Sequence, residues 1–578
     1  MPDRWRPSIQ FALMSLLFAA GCSAPGGIGA NPAVESVTIE ESARSLAVGS
    51  TQAYAAAVVS VDGASSEVVW SSSDPSVAIV SASSVGSGAG RSTAHVTGVA
   101  SGTTTITATS SFDPSKSDSV TIEVIATAPM LLDVDTRLAR GTTVVLPLSG
   151  AVDVTVDWGD GVVTESDAPY PEHTYAAEGT KTIALYGSVE RFGRDHLCFD
   201  DDEFIECEGD AHPSSHMITG VAAWGDVGLV SLAGGFRGAE HLTAIPSDLP
   251  AMVVDTSNMF ANASRFDEPI GAWDVSNVTT MSGMFSGASS FDKPIGAWDV
   301  SNVTDMSKMF TRTRFDHPIG AWDVSSVTDM RGMFRLSAFN KAIGSWDVSS
   351  VTDMSEMFAW TTAFDQDLAD WDVSGVTDMR SMFSYARAFD RAIGAWDVSR
   401  VETMSGMFSD AYEFDQDLGA WDTSSVVDMS FMFQHAETFD RDIGAWDVSN
   451  VTAMVSMFWQ SHAFDQDIGG WDVSSVTDMF GMFHGAYAFH QDIGGWDVSN
   501  VTRMEGMFEF AESFDHDVGS WDVSNVAHMN AMFRGAVSFN RDLSRWCVAI
   551  IPTRPDFFSD GAISWILPQP VWGTCPAE

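Results

Sequence analysis

The chain has 578 residues, too many for one ordinary hydrophobic core, so several domains are expected. It carries 78 acidic and 29 basic residues, a formal net charge of -49. An excess of this sign repels nucleic acid and anionic lipid headgroups, and it argues against both as partners. A hydrophobic content of 45%, with 20 Trp and 36 Phe, favours packed domains over disorder.

Residues 1–22 have the layout of a bacterial export signal. Two arginines precede an apolar run over 9–20 that is too short to span a bilayer. The small residues before Cys22 resemble the lipobox of bacterial lipoproteins, which implies lipidation of Cys22 and attachment to the outer membrane or cell surface. Ala19 departs from the leucine usual in that motif, so cleavage by an ordinary signal peptidase is the alternative. Residues 23–32, rich in Gly, Ala and Pro, are predicted to form a flexible tether.

Two β domains are predicted next. Residues 33–126 alternate apolar and polar residues in short runs broken by Gly, Ser, Asp and Pro, which is typical of an antiparallel sandwich. The motifs W-S-S-S-D-P-S-V-A and V-A-S-G-T resemble the group 2 bacterial Ig-like (Big) domain, which implies a spacer or adhesive unit. Residues 127–192, with V-D-W-G-D-G followed by H-T-Y, resemble a PKD-like β-sandwich.

Three residues of the second β segment are of the types that bind metals or transfer protons: Asp157, Asp160 and His173. Acidic residues beside a W-G-D-G corner are more often turn formers, because glycine there supplies the positive φ of a tight turn. We therefore interpret these three residues as structural.

Four cysteines follow Cys22, and an even number in an exported protein indicates two disulfides with three possible pairings. Proximity favours Cys198–Cys207 and Cys547–Cys575.

Residues 193–250 are accordingly predicted to be a disulfide-closed loop and an N-terminal cap on the repeats, with a C-terminal cap over 547–578. The acidic run at 200–203 has oxygen ligands suited to Ca²⁺ but lacks the D-x-D-x-D-G spacing, so we interpret it as solvated and assign no metal ligand.

Residues 251–546 are dominated by a repeat of 25 residues, shortened to 24 twice. One unit, 291–310, reads F-D-K-P-I-G-A-W-D-V-S-N-V-T-D-M-S-K-M-F. Alternation around Trp298 predicts a short strand, and Met306, Met309 and Phe310 at i, i+3 and i+4 predict one face of a short helix. The predicted fold is therefore two N-terminal β-sandwich (Ig-like) domains followed by a leucine-rich-repeat-like α/β solenoid of about twelve 25-residue coils. The repeated tryptophans are Trp273, Trp298, Trp322, Trp346, Trp371, Trp396, Trp421, Trp446, Trp471, Trp496, Trp521 and Trp546.

The repeat resembles that of the BspA-like leucine-rich-repeat surface proteins, F-N-Q-D-I-x-x-W-D-V-S-N-V-T-D-M-S-x-M-F, over roughly 217–575. That resemblance implies a place on the cell surface, and an adhesive role for some members. The repeated Trp, Met and Phe are interpreted as core. Stacked coils are expected to lie about 4.8 Å apart, as neighbouring strands do. At that spacing the W-D-V-S aspartates would repel one another unless they accept hydrogen bonds or bind cations. We favour hydrogen bonds.

The positions where the repeats differ are the candidates for binding. The two positions after each M-F vary freely, and aromatic clusters at such exposed positions are common hot spots for proteins or sugars. The predicted binding patch consists of Leu336, Trp360, Tyr385, Trp459 and Phe510.

Catalysis has no support in the sequence. The 13 His residues are scattered, and the F-D-Q-D acids, such as Asp415 and Asp417, recur in several coils as solvated loop residues would. The predicted function is that of an adhesin-like surface lipoprotein binding an extracellular protein or carbohydrate, with no catalytic residues and no cofactor. A structural or Ca²⁺-stabilised surface component is the alternative, and a carbohydrate-active accessory protein is less favoured.

Overall fold

The computed structural model describes residues 31–40, 44–48, 51–82, 90–125, 128–193 and 212–576. Its chain divides into two compact units, Met1–Ala126 and Thr127–Glu578.

The first unit is a β-sandwich, as predicted. Its two four-stranded sheets have the orders β1-β3-β6-β5 and β2-β8-β7-β4, and one apolar cluster lies between them. Tyr54 and Ile106 are buried there, and the indole of Trp70 donates a hydrogen bond to the hydroxyl of Ser92 (3.2 Å). The strands are β1 (Ala33–Ile39), β2 (Ser45–Ala47), β3 (Thr51–Val61), β4 (Val68–Ser72), β5 (Ala78–Ala82), β6 (Arg91–Gly98), β7 (Gly102–Ser110) and β8 (Ser117–Ile125).

The second unit begins with a five-stranded sheet of order β12-β11-β14-β9-β15 and a pair, β10-β13. Two short 3-10 turns, Thr136–Leu138 and Ser215–Met217, flank it. The apolar core runs without interruption from Met130 in this sheet to Phe558 in the last coil. The strands are β9 (Met130–Asp135), β10 (Thr143–Val145), β11 (Leu148–Asp157), β12 (Val163–Ser166), β13 (Glu172–Thr174), β14 (Thr180–Phe192) and β15 (Ile218–Ala223).

The repeats stack as parallel coils. An isolated parallel bridge joins Arg191, near the end of β14, to Ser231, and the same position then pairs from coil to coil as far as His528. Each buried Phe of the M-F pair lies 5.4–5.9 Å from its equivalent in the next coil, as in Phe310–Phe334 (5.7 Å). Stacking therefore buries side chains that a single coil leaves open, as in other solenoids.

The α/β prediction for the repeats is wrong. Among the residues described, no α-helix occurs in the coils, which consist of turns and single-residue bridges. The predicted strand around Trp298 is also not formed. The segment predicted as a helix is not helical because Lys308 (φ 56°) and Arg312 (φ 57°) have a left-handed backbone conformation. The equivalent residues of other coils have the same conformation.

Instead, each coil forms successive β-turns between the residue of the parallel bridge and the second residue after M-F. In the coil that contains Lys308, this segment is 305–312. Met309 N–H bonds to Met306 O, and Thr311 N–H bonds to Lys308 O. Alternate N–H groups bond forward, from Met306 to Asp329 O (3.0 Å) and from Phe310 to Met333 O (2.9 Å). We call this side of the stack the turn ladder. Its hydrogen bonds pair main-chain N–H and C=O groups of adjacent coils, so these groups do not need the internal hydrogen bonds of a helix.

Candidate functional site

The W-D-V-S segments line another side of the stack, the tryptophan edge. Trp396 is 3% exposed, and its indole N–H donates to Leu368 O of the preceding coil (3.0 Å). Asp347 accepts from both the N–H (3.1 Å) and the hydroxyl (2.6 Å) of Ser349, and this lowers the pKa of Asp347. Hydrogen bonds, the favoured explanation of the repeated aspartates, are therefore present.

A second series of aspartates lies at the bridge position of the turn ladder. Burial, together with the carboxylates of Asp305 and Asp353 in the adjacent coils, raises the pKa of Asp329 to about 6. The N–H of Arg331 donates to Asp329 (2.9 Å) and opposes that rise. This carboxylate thus costs the fold free energy when ionised, unlike those of the tryptophan edge.

The F-D-Q-D acids also have structural partners. Asp415 accepts from the N–H of Asp440 (3.1 Å) and from the Arg441 guanidinium (2.6 Å) in the next coil. Asp417 accepts from the N–H of Gly419 (2.9 Å). Both carboxylates therefore stabilise the loops that carry them.

Part of the predicted binding patch comes together on the turn ladder. The rings of Trp360 and Tyr385 stack with centroids 3.5 Å apart and planes 8° apart. The guanidinium of Arg387 lies over Tyr385 (5.9 Å) and over Tyr412 of the following coil (4.9 Å). Trp360 is 42% exposed, whereas Tyr385 is half-buried. These four residues form one continuous surface, which we call the aromatic strip, and Leu336 is half-buried one coil before it.

The orientation of the rings decides what the aromatic strip offers to a ligand. Tyr385 has Trp360 against one face, so Arg387 lies over the other. Sugars bind aromatic side chains by lying on an open ring face, whereas polypeptides also pack against ring edges and hydrogen-bond to guanidinium groups. Within the strip, the parts most open to a ligand are the Trp360 ring and the exposed Arg387 side chain.

The other two predicted residues, Trp459 and Phe510, lie three and five coils beyond Tyr385 and are not part of this strip. Trp459 stacks on His484 (3.7 Å), and His484 meets Phe510 edge-on (5.8 Å). Burial lowers the pKa of His484, and Arg534 lies over the ring of Phe510 (5.4 Å).

Between the two groups, Asp410 is buried and accepts a hydrogen bond from the Tyr412 hydroxyl (3.2 Å). The predicted patch is therefore two separate clusters.

Sequence reasoning missed Arg387, Tyr412 and His484. His484 occupies the first position after M-F, which varies as freely as the second, so it was open to detection. Arg387 and Tyr412 occupy the fourth position. They lie beside the second-position residues of adjacent coils because the turn at each M-F places the second and fourth positions on the same side of the coil. In a helix, residues two apart would point in different directions.

Hydrogen bonds hold the W-G-D-G corner of the second β segment. His173 bonds to the Asp160 carboxylate (2.8 Å) and its ring stacks on Trp158 (5.2 Å). Tyr175 is buried and donates its hydroxyl hydrogen to Trp158 O (2.8 Å). Asp157 accepts from the N–H of Gly159 (2.9 Å). These bonds hold the turn between β11 and β12.

The structure contains the Cys547–Cys575 disulfide, which joins the last regular coil to the cap. Cys22, Cys198, Cys207 and the acidic run at 200–203 lie outside the described residues. In the described part of the chain, no three His, Cys, Asp or Glu side chains are grouped as a metal site requires. No helix there has the length and apolarity to cross a membrane.

Two family models match the chain. The bacterial Ig-like domain (group 2) matches residues 33–124, as the motifs of the first β domain predict. The family described as "Mycoplasma protein of unknown function, DUF285" matches four overlapping stretches, 231–337, 311–414, 390–492 and 463–562.

Comparison with curated proteins found no match. Two solved structures show a limited likeness, the S-layer protein rSbsC(31-844) at 20% identity and the surface layer protein SbsC, domains 1–6, at 22%. Each match covers 27% of this chain and 26% of the other, with a TM-score of 0.15, and no inference rests on it.

The leucine-rich-repeat resemblance finds no support in these matches, while the four repeat matches together span more than half of the chain. The chain therefore belongs to the family described as "Mycoplasma protein of unknown function, DUF285", and it carries a bacterial Ig-like domain (group 2) before the repeats.

Proposed function

We propose that this protein is a cell-surface binding protein, lipid-anchored through Cys22, whose coils present the aromatic strip to an extracellular polypeptide and carry out no catalysis. The Ig-like domain and the repeats are non-catalytic kinds of fold. The Cys547–Cys575 disulfide favours an oxidising compartment, and the export signal predicted over 1–22 leads there.

The observation that carries the proposal is the chain of contacts from Trp360 through Tyr385 and Arg387 to Tyr412. These residues stand at positions that differ from coil to coil, so the stack does not require them. Three aromatic side chains and an arginine in contact at such positions have the composition of an interface hot spot. A structural role alone would be served by the small residues that other coils carry there, such as Gly287 and Gly535.

The test compares binding of residues 23–578 and of a Trp360→Ala/Tyr385→Ala variant to arrays of extracellular matrix proteins and of glycans. We expect at least a tenfold loss of affinity for the protein targets, about 1.4 kcal/mol, because the variant removes both stacked rings. Arg312→Ala, at the second position after M-F of another coil, is the matched control and leaves binding unchanged. Binding of glycans alone, or equal binding of protein targets by wild type and double variant, contradicts the proposal.

A further inference from the structure

The coil-to-coil hydrogen bonds made by the alternate N–H groups of the turn ladder, those at 306, 308, 310 and 312 in one coil, run in one direction. In every coil the alternate N–H groups donate to carbonyls of the next coil, never of the previous one. The last regular coil continues this pattern: Ala531 donates to Asp556 O, Phe533 to Phe558 O and Gly535 to Asp560 O, each at 2.8 Å. Residues 556–561 of the cap are therefore one more rung, which we call the terminal rung.

The terminal rung has donors and no acceptor for them. Phe557, Ser559 and Gly561 stand where Ala531, Phe533 and Gly535 stand in the preceding coil, and the left-handed φ of Phe557 (58°) and Gly561 (82°) repeats that of the earlier rungs. Within the described residues, nothing accepts a hydrogen bond from these three N–H groups. A row of unpaired, parallel N–H groups is a template for another main chain.

The opposite end of the ladder is covered. Phe192 donates to Ser231 O (3.1 Å), and Gly193 lies so close that a Cβ on it would be 1.8 Å from Ala233 O. A second copy therefore cannot add its first coil to the terminal rung of another. Two terminal rungs cannot pair with each other either, because both present only donors.

Exposed apolar side chains occur on the terminal rung and in the cap residues that follow it. Phe557 is 57% exposed, Ile563 81% and Ile566 85%, the last two being the most exposed large apolar residues among those described. Charged groups lie beside it as well: Arg554 pairs with Asp560 (3.2 Å), and the Arg534 guanidinium lies over the Phe557 ring (5.4 Å). The chain's net charge of -49 disfavours an acidic ligand. The surface fits a segment that adopts the ladder conformation and carries mainly apolar side chains.

We propose that the terminal rung binds an apolar peptide segment of another protein, which adopts the ladder conformation and adds as a further rung. Main-chain carbonyls of the segment accept from the N–H groups of Phe557, Ser559 and Gly561, and its side chains cover Ile563 and Ile566. Such strand addition draws its affinity from the main chain and its selectivity from side-chain contacts. This site is separate from the aromatic strip and does not depend on it.

The test is hydrogen exchange, resolved to single residues, on residues 23–578. In the free protein we expect the amides of Phe557, Ser559 and Gly561 to exchange faster than those of Phe533 and Gly535, which are bonded. The probe is a synthetic peptide, H-M-N-A-M-F-R-G-A-V-S-F, which copies residues 528–539 and can adopt the ladder conformation. At saturating peptide the three amides should slow at least tenfold.

An Ile563→Asp/Ile566→Asp variant separates this site from nonspecific binding. Both side chains are exposed, so the fold is kept, and we expect at least a tenfold weaker affinity for the peptide. Met252→Asp, at an apolar residue 63% exposed near the first coils, is the control and leaves the affinity unchanged.

The proposal is overturned if the peptide leaves the three amides unprotected, or if the double variant binds it as wild type does. Protection that is already present in the dilute free protein, or that rises with its own concentration, overturns it as well, because the edge is then occupied by the chain itself or by a second copy. A Trp360→Ala/Tyr385→Ala variant should bind this peptide normally, so the outcome is independent of the proposed function.

Discussion

The tryptophan edge and the turn ladder stabilise the same stack in different ways. At the tryptophan edge the side chains do the bonding: each indole N–H reaches a carbonyl of the preceding coil, and each aspartate closes a turn through a serine two residues on. In the turn ladder the main chain bonds from coil to coil, and its variable side chains are not needed for stacking. Sequence constancy therefore follows side-chain bonding, and variation is tolerated where the main chain is sufficient.

The largest expected effect is the difference in stability between two Trp→Ala variants, one at the tryptophan edge and one in the turn ladder. Trp396→Ala deletes a fully packed indole with a buried hydrogen bond and should lower the free energy of unfolding by about 3–5 kcal/mol. Trp360→Ala removes a side chain that is 42% exposed and should cost about 1 kcal/mol. Denaturant unfolding followed by circular dichroism measures both. Equal costs would contradict the distinction between the two sides.

An intermediate effect is expected from the buried aspartate of the turn ladder. The pKa of Asp329 is about 6 in the folded protein and near 3.8 when unfolded, so the folded state binds its proton more tightly. Stability therefore falls as the pH rises from about 4 to 6, and at pH 7 the ionised group costs about 2 kcal/mol. Asp329→Asn keeps the acceptor for Arg331 N–H and should raise stability at pH 7 by up to that amount.

The matched control is Asp323→Asn at the tryptophan edge, where hydrogen bonds from Ser325 lower the pKa of the aspartate. Its stabilising contribution is present at pH 7 and is lost as the pH falls below about 4, so this substitution should destabilise the protein at neutral pH. Unfolding free energies measured from pH 7 to pH 4 should show the Asp329→Asn gain shrinking. A gain that is constant over this range would mean that the carboxylate is not strained by burial.

Much of the architecture was open to prediction, because the period, the buried ladders, the bonded aspartates and the Cys547–Cys575 pair all follow from residue types and spacing. The turns that stand where a helix was predicted were not open to prediction, because the i, i+3, i+4 spacing of Met306, Met309 and Phe310 fits both a helix and successive turns. One signal pointed the other way: glycine often precedes the second Met, as at Gly283 and Gly332, and glycine is unfavourable inside a helix. Likewise, the contact of Tyr412 with Arg387 depends on turn geometry that spacing alone does not reveal.

The smallest effect is expected at the position before the second Met of the repeat, where the backbone is left-handed. Gly332 has φ 58°, and a Cβ there would make only ordinary contacts with Lys308 (3.5 Å) and Arg335 (3.8 Å), so space is not limiting. Gly332→Ala should therefore lose about 1 kcal/mol from backbone conformation alone, and Gly332→Asn less, since asparagine tolerates this region.

Gly470 provides the contrast at the tryptophan edge, because a Cβ there would meet nothing within 4 Å, its φ is not positive, and most other coils carry alanine or serine at that point. Gly470→Ala should be neutral or stabilise the fold by up to about 1 kcal/mol, through the reduced freedom of the unfolded chain. Opposite signs for Gly→Ala changes at these two positions of the repeat motif would locate the conformational demand in the turn ladder. A neutral Gly332→Ala would instead show that the ladder does not require the left-handed conformation at this residue.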